Sequence, residues 1–138
     1  MKKVLALLLA LVLVLSLAAC GNSEKDLKEE QEAVNKAIEG GWSNKEYINE
    51  SYYEGDLLYV YVFLNGKYSF DNIQVKTKET WHSEEGTYTV NAQKKEIICT
   101  ANEEVLGSKM ERTLTYEYKD GNLKLFDEKG KSLDKYEK

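Results

Sequence analysis

From Gly41 onward, apolar and polar side chains alternate with a period of two, which is the pattern of β-strands with one buried and one solvated face. The clearest segment is 110–119, where alternate residues from Met110 to Tyr118 share one face and polar residues share the other. Asn65-Gly66 and Asp120-Gly121 interrupt the alternation, and both favour a type I′ hairpin, whose two central residues need positive φ. The pattern predicts a mainly β fold built as an antiparallel meander.

Eight strands are predicted, which suits a closed barrel or a half-barrel. Their ranges are 42–48, 57–64, 67–76, 86–91, 96–101, 110–119, 123–127 and 132–136. Residues 77–85, which include Trp81 and His82, are predicted to form a long connection.

One amphipathic helix precedes the strands. Its apolar or neutral positions recur at spacings of four, three and four from Leu27 to Ile38. Asn22 or Ser23 can cap its start, and Gly40-Gly41 can end it. Strand 57–64 is apolar on both faces, so its outer face needs a cover. The helix could lie on that face over Tyr59, Tyr61 and Phe63, or the tyrosines could remain partly exposed.

The first nineteen residues have the order of a secretory signal: Lys2 and Lys3, an apolar run, and the small-residue site Leu17-Ala18-Ala19-Cys20. From Val4 the apolar run covers sixteen residues, fewer than the ~20 that a transmembrane helix needs. The last four residues resemble the bacterial lipobox. The resemblance implies that Cys20 becomes the first mature residue and carries a diacylglycerol. The alternative is a plain signal peptide cleaved after Ala19.

This interpretation divides the chain into a lipoprotein signal peptide at 1–19, a lipidated cysteine with a short link and a helix at 20–39, and a β domain at 40–138. Without the two lysines of the signal segment, the formal net charge becomes −7, because all 24 acidic residues remain with 17 basic ones. The charges are interspersed, and the absence of a basic stripe argues against a nucleic-acid partner.

Catalytic patterns are absent from the sequence. There is one histidine, no glycine-rich phosphate loop and no cysteine and histidine cluster, so we expect no enzyme, cofactor or metal site. The acidic pairs Glu84-Glu85 and Glu103-Glu104 are interpreted as solvated surface. Cys99, the one cysteine left after lipidation, is predicted to be a small buried apolar residue.

The order of features from residue 40 to 127 resembles the small lipocalin-like domains of bacterial lipoproteins. The matching motifs are Gly40-Gly41-Trp42, the hairpin around Asn65-Gly66, the strand 86–90 and the late hairpin 114–123. In lipocalins an arginine lies across the first-strand tryptophan and closes the barrel. Arg112 is the only arginine here, so the resemblance implies a closing contact between Trp42 and Arg112. The alternative is that Arg112 pairs with a glutamate.

The expected function is that of a non-enzymatic envelope lipoprotein, held by Cys20 on the outer face of the bacterial membrane with its domain outside the cytoplasm. The barrel is expected to bind a small hydrophobic ligand or lipid. A second possibility is a protein-binding or inhibitory surface lipoprotein that acts through exposed loops, with Trp81 as the anchor. The candidate ligand or partner contacts are Trp81, Tyr88, Tyr116 and Tyr118, although each tyrosine could instead be a core residue and Trp81 could fold back over a mouth of the barrel.

Overall fold

A computed structural model describes residues 23–137, which form one helix and eight strands. Cys20 and the signal segment therefore lie outside the described residues. Among the residues described, no helix has the length and apolar character needed to cross a bilayer. The mainly β fold predicted from the alternation is confirmed.

The eight strands follow the helix α1 (Glu24–Ala37) with short turns between them. Their bounds are β1 (Gly40–Glu50), β2 (Tyr53–Leu64), β3 (Lys67–Gln74), β4 (Thr80–Asn91), β5 (Glu96–Val105), β6 (Ser108–Lys119), β7 (Asn122–Phe126) and β8 (Ser132–Tyr136). Each strand pairs antiparallel with the next, and β8 returns to β1 through Gly41 opposite Tyr136. The result is a closed barrel in sequence order.

The predicted hairpin turns form with the expected backbone. Asn65 and Gly66 have φ of 50° and 76°, and Asp120 and Gly121 have φ of 51° and 78°. These are the consecutive positive φ angles of a type I′ turn. The local turn chemistry therefore fixes two of the hairpins.

The barrel has two different ends. At the helix end lie the β2–β3, β4–β5 and β6–β7 turns together with α1. The other four turns, after β1, β3, β5 and β7, lie at the opposite end, which we call the open end. The helix contacts β4 and β7, which are three strands apart in the eight-stranded ring, so α1 lies across the helix end.

A local capping motif stabilises the start of α1, and buried side chains pack its C-terminal half against the barrel. Ser23 Oγ accepts a hydrogen bond from the Asp26 backbone N–H, and the Asp26 carboxylate accepts one from the Ser23 backbone N–H, which forms a capping box. Val34 and Ile38 are fully buried in the barrel core. At the same end, Trp42 Nε1 donates to Ile38 O at 2.8 Å.

Polar contacts fasten the other part of α1 to the strands. Glu30 accepts hydrogen bonds from Lys95 Nζ and from Tyr116 Oη. Burial first, and then the hydrogen bond to Glu30, raise the pKa of the Tyr116 hydroxyl above its usual value. The helix is thus a fixed part of the domain.

The position of the helix corrects the expected cover of β2. Tyr61 and Phe63 are buried and belong to the barrel core, and Tyr59 is packed against it. These residues line the inner face of β2, so the helix cannot lie over them from outside. Instead, α1 closes one mouth of the barrel. Its narrow apolar stripe is sufficient there, because only Val34 and Ile38 enter the core.

Candidate functional site

The interior of the barrel is apolar in the half near the helix and polar toward the open end. Inward positions are recognised by alternate burial along each strand. In β4 the inward series runs from Val90 and Tyr88 through Gly86 to Glu84 and His82. The same strand therefore contributes apolar side chains to one half and charged ones to the other.

Glu84 is the centre of the polar half, and its side chain is 6 % exposed. It accepts hydrogen bonds from Tyr68 Oη at 2.6 Å, from Arg112 Nε at 2.8 Å and from Arg112 Nη2 at 3.1 Å. His82 Nε2 lies 3.1 Å from the second carboxylate oxygen. The two oxygens of Glu84 are thus occupied by three different side chains.

The pKa of Glu84 shows that these contacts outweigh burial. Burial alone raises the pKa of the carboxyl, but hydrogen bonds from Arg112, Tyr68 and His82 lower it to about 2. At neutral pH the carboxylate is therefore ionised inside the barrel. The interpretation of Glu84 as solvated surface is wrong, because the neighbouring Glu85 is the exposed one of the pair.

Arg112 connects this carboxylate to the space at the open end. Its guanidinium carbon lies 4.1 Å from the centre of the Phe70 ring, and its Nη1 lies 3.8 Å from Glu128 Oε2. Nε and Nη2 donate to Glu84, so Nη1 is the guanidinium nitrogen that can donate to another group.

The expected contact between Trp42 and Arg112 is replaced by two others. Lys135 Nζ lies 4.0 Å from the centre of the Trp42 ring, and Arg112 stacks on Phe70 and pairs with Glu84. The alternative pairing with a glutamate is the observed one. A cation does cover the first-strand tryptophan, but it comes from the last strand.

A depression of about 200 Å³, which we call the mouth pocket, opens beside Arg112 at the open end. Its lining combines aromatic and charged side chains: Asn44, Glu46, Tyr59, Tyr61, Phe70, Arg112, Asp127, Glu128 and Lys129. Tyr61 and Phe70 are buried, with ring centres 4.7 Å apart. Hydrogen bonds fix the wall, since Asn44 Nδ2 donates to Asp127 Oδ2 at 2.7 Å and Asp127 accepts the backbone N–H groups of the β7–β8 turn.

One buried acceptor in this part of the barrel has no partner among the described residues. Asn72 lies on the inward series of β3, two residues after Phe70, and its Oδ1 is buried without a hydrogen bond. Its strand neighbours are Tyr59 on one side and His82 on the other. A buried amide oxygen without a partner is costly, so this position favours a bound donor.

Three of the aromatic candidates from the sequence lie elsewhere. Tyr88 packs edge-on against Phe63, Tyr116 donates to Glu30 of the helix, and Tyr118 packs on the same core. The structure therefore places Tyr88, Tyr116 and Tyr118 in the half of the barrel that the helix closes, away from the mouth pocket.

Trp81 lies in β4, so the predicted long connection over residues 77–85 is wrong. The strand register shifts at this point, with Asn72 opposite His82 but Ile73 opposite Thr80, which leaves Trp81 as a bulged residue. Trp81 is 40 % exposed and its ring packs against Tyr53 with centres 4.7 Å apart. The segment lacks an apolar alternation because its inward residues are His82 and Glu84, which face the polar half.

Several lining residues carried no signal in the sequence. Asn44, Asp127 and Lys129 are ordinary polar residues of strand ends and turns, and they come together only because the barrel closes between β8 and β1. Phe70 could be identified as an inward aromatic, but its place beneath the guanidinium could not.

Within residues 23–137, no group of three or more histidine, cysteine or acidic side chains is arranged to hold a metal ion. Cys99 is fully buried, and burial raises the pKa of its thiol to about 12, as expected of a small apolar core residue. Comparisons with protein-family models, with curated proteins and with solved structures found no match to this chain.

Proposed function

We propose that this protein is a membrane-tethered, non-enzymatic binding module whose barrel takes a small ligand in the mouth pocket. The observation that carries the proposal is the division of the interior. Apolar side chains and α1 fill the helix half, whereas the open half keeps a pocket with a rigid aromatic wall and fixed charges. An eight-stranded barrel has room either for its own side chains or for one small ligand, and here the two uses occupy different halves.

The lining selects an amphipathic ligand. Tyr59 and Phe70 offer ring surface to an apolar or aromatic part of the ligand. Arg112 Nη1 offers a cationic donor, and Lys129, which pairs with Glu46 at 3.1 Å, adds positive charge to the lining. A hydrophobic molecule with one polar or acidic end satisfies these groups better than a wholly apolar lipid chain, because the apolar half of the barrel is already filled.

The non-enzymatic part of the proposal rests on how the charged groups are used. Arg112, Tyr68 and His82 occupy the Glu84 carboxylate, and Asp127 is used to hold the β7–β8 turn. A general acid or base needs a proton that it can exchange near neutral pH, and a carboxyl with a pKa of about 2 does not provide one. The charges of the polar half are suited to holding a ligand in place.

Ligand binding is tested by titration of residues 20–138, with Cys20→Ser, using 1-anilinonaphthalene-8-sulfonate as an amphipathic aromatic anion. We expect saturable binding at one site. Tyr59→Leu removes part of the aromatic wall and is expected to weaken binding by about tenfold, or about 1.4 kcal/mol. Tyr47→Leu is the matched control, because Tyr47 is 60 % exposed and does not line the pocket. No saturable binding, or equal weakening by both variants, would contradict the proposal.

The tether is tested separately by growing bacteria that express the chain with radiolabelled palmitate. The wild-type chain is expected to incorporate the label and Cys20→Ala is expected not to. Two acyl chains are needed for stable attachment, because each buried methylene contributes only about 0.8 kcal/mol. A wild-type chain without label, or equal labelling of both, would contradict lipid attachment at Cys20.

A further inference from the structure

The wall of the barrel is open between β4 and β5 on the side of the open end. These two strands pair from Asn91 opposite Glu96 only as far as Gly86 opposite Ala101. Beyond that point β4 continues to pair with β3, and β5 continues to pair with β6. We call the resulting opening the seam.

Gly86 marks the place where the strands part. A Cβ at this position would lie 1.9 Å from the Thr100 carbonyl oxygen and 2.8 Å from the Tyr68 ring. Just past this close approach the β5–β6 register shifts between Thr100 and Glu104, and an irregularity of this kind bends a strand locally. The seam is therefore built into the strands.

The seam is a groove of about 310 Å³ with a distinct chemistry. Its lining consists of His82, Ser83, Glu84, Glu85, Ala101, Asn102, Glu103, Val105 and Met110. Three of these residues are glutamates, and none is a lysine or an arginine. Glu84 faces the Arg112 guanidinium, so the seam and the mouth pocket lie on opposite sides of one ion pair.

Backbone groups of β4 point into the seam. Tyr88 N donates to Gly66 O at 3.0 Å, so every second residue counted from Tyr88 bonds to β3. In an antiparallel ladder the intervening residues direct their N–H and C=O groups to the other side. Ser83 and Glu85 are such residues, and the register between β4 and β5 ends at Gly86 opposite Ala101, so the Ser83 backbone lies beyond the last paired position. An unpaired strand edge of this kind is a template for another extended chain.

The hairpin beside the seam carries a second indication of a partner. Leu106 has a φ of 53° and is fully exposed, and its neighbour Val105 is 58 % exposed. A leucine in the left-handed region costs roughly 1–2 kcal/mol, and burial within the described fold does not offset that cost. Backbone strain and exposed apolar surface in one turn point to contact with another molecule.

We propose that the seam binds an extended, positively charged peptide segment of a partner protein by β-strand addition. The segment would pair with the edge formed by Ser83 and Glu85, place its basic side chains near Glu85 and Glu103, and contact Val105 and Leu106 with apolar ones. This interaction goes beyond the proposed ligand site and does not depend on it, because the two sites use opposite sides of the Arg112–Glu84 pair.

The first test uses the full chain in dodecyl maltoside and a fluorescent heptapeptide of alternating lysine and valine, followed by fluorescence anisotropy. We expect saturable binding that weakens by about tenfold or more when glutamate replaces lysine. Methylation of the five central backbone nitrogens is expected to weaken it as much, because it removes the donors while the side chains stay the same. Equal affinity for the methylated peptide, or no saturable binding, would overturn the proposal.

Protein variants locate the site. Ser83→Pro removes a backbone N–H that faces the seam, and we expect it to reduce affinity by about tenfold. Ser83→Ala is the matched control, because both variants lose the 2.6 Å hydrogen bond from Ser83 Oγ to Asp71 Oδ1, whereas only proline loses the backbone donor. Similar affinity for the two variants would overturn the assignment.

Hydrogen exchange measured by mass spectrometry on the unmodified chain gives a readout that needs no variant. The segments 81–85 and 102–105 are expected to exchange more slowly with the lysine-valine peptide present, whereas the β6–β7 hairpin should not change. Binding without protection of 81–85 would place the peptide elsewhere and overturn the proposal. Loss of dye binding by Tyr59→Leu with intact peptide binding would distinguish the seam from the mouth pocket.

Discussion

Removal of the Arg112 guanidinium is the perturbation that best tests the polar half of the barrel. In Arg112→Leu the Glu84 carboxylate loses two hydrogen bonds, of 2.8 Å and 3.1 Å, and keeps only Tyr68 and His82. The carboxylate is 6 % exposed and cannot recover its hydration. Breaking one side of a buried pair typically costs about 3–5 kcal/mol.

The pKa of Glu84 gives an independent magnitude. The carboxyl moves from 4.5 to about 2 on folding, which corresponds to about 3 kcal/mol of stability. The sign follows from the lowered folded-state pKa: this contribution is complete above pH 4.5 and is lost as the pH falls toward 2. At pH 3 about 2 kcal/mol of it is already gone in the wild-type chain.

Urea unfolding of wild type and Arg112→Leu, followed by far-ultraviolet circular dichroism, measures the effect. We expect the variant to lose about 3 kcal/mol at pH 7 and clearly less at pH 3, where Glu84 is protonated without its arginine. The double variant Glu84→Leu with Arg112→Leu is the control, and it is expected to be more stable than Arg112→Leu alone. A loss below about 1 kcal/mol at pH 7, or an equal loss at both pH values, would show that Arg112 does not stabilise a buried Glu84 carboxylate.

Three further predictions concern single positions. Gly86→Ala is expected to lose about 1–3 kcal/mol in urea unfolding, because its Cβ would meet the Thr100 carbonyl at 1.9 Å; a loss below about 0.5 kcal/mol, the range of an ordinary surface substitution, would contradict the close approach. Leu106→Asn is expected to raise the melting temperature, since asparagine tolerates a φ of 53° better than leucine. The same variant is expected to lower the affinity for the lysine-valine peptide; a higher affinity would argue against a contact between the turn and the peptide. The Cys99 thiol is expected to react with 5,5′-dithiobis(2-nitrobenzoate) only after unfolding, because it is fully buried with a raised pKa; fast reaction of the folded chain would contradict its burial.

The sequence was sufficient for features that depend on neighbouring residues. Asn65-Gly66 and Asp120-Gly121 encode their turns through backbone preference alone, and the strand 132–136 matches its predicted bounds. Ser23 was one of two predicted caps for the helix and is the one observed. These features need no knowledge of what lies across the barrel.

Features that depend on distant residues could not be read in the same way. The amphipathic pattern of α1 shows which face is buried, but it does not show that Val34 and Ile38 enter one mouth of a barrel. Residues 80–85 form a strand whose inward side chains are polar, and the alternation rule assumes an apolar interior.

The contacts of Arg112 likewise could not be predicted from the sequence. The sequence identified Arg112 as the single arginine on an inward series, but several partners were compatible with that position. The closure and stagger of eight strands place it over Phe70 and beside Glu84, 28 residues away along the chain. Such stagger is set by the whole barrel, and no local motif encodes it.

Binding of a small ligand at the open end of the barrel can be located residue by residue with a ¹H–¹⁵N chemical-shift map. The sample is residues 20–138 with Cys20→Ser, titrated with 1-anilinonaphthalene-8-sulfonate. We expect the largest shifts on the mouth pocket, at Asn44, Phe70, Arg112 and Lys129, with little change at the helix-end turn of Asn65. Shifts centred on the helix end, or spread over the surface without a focus, would contradict it.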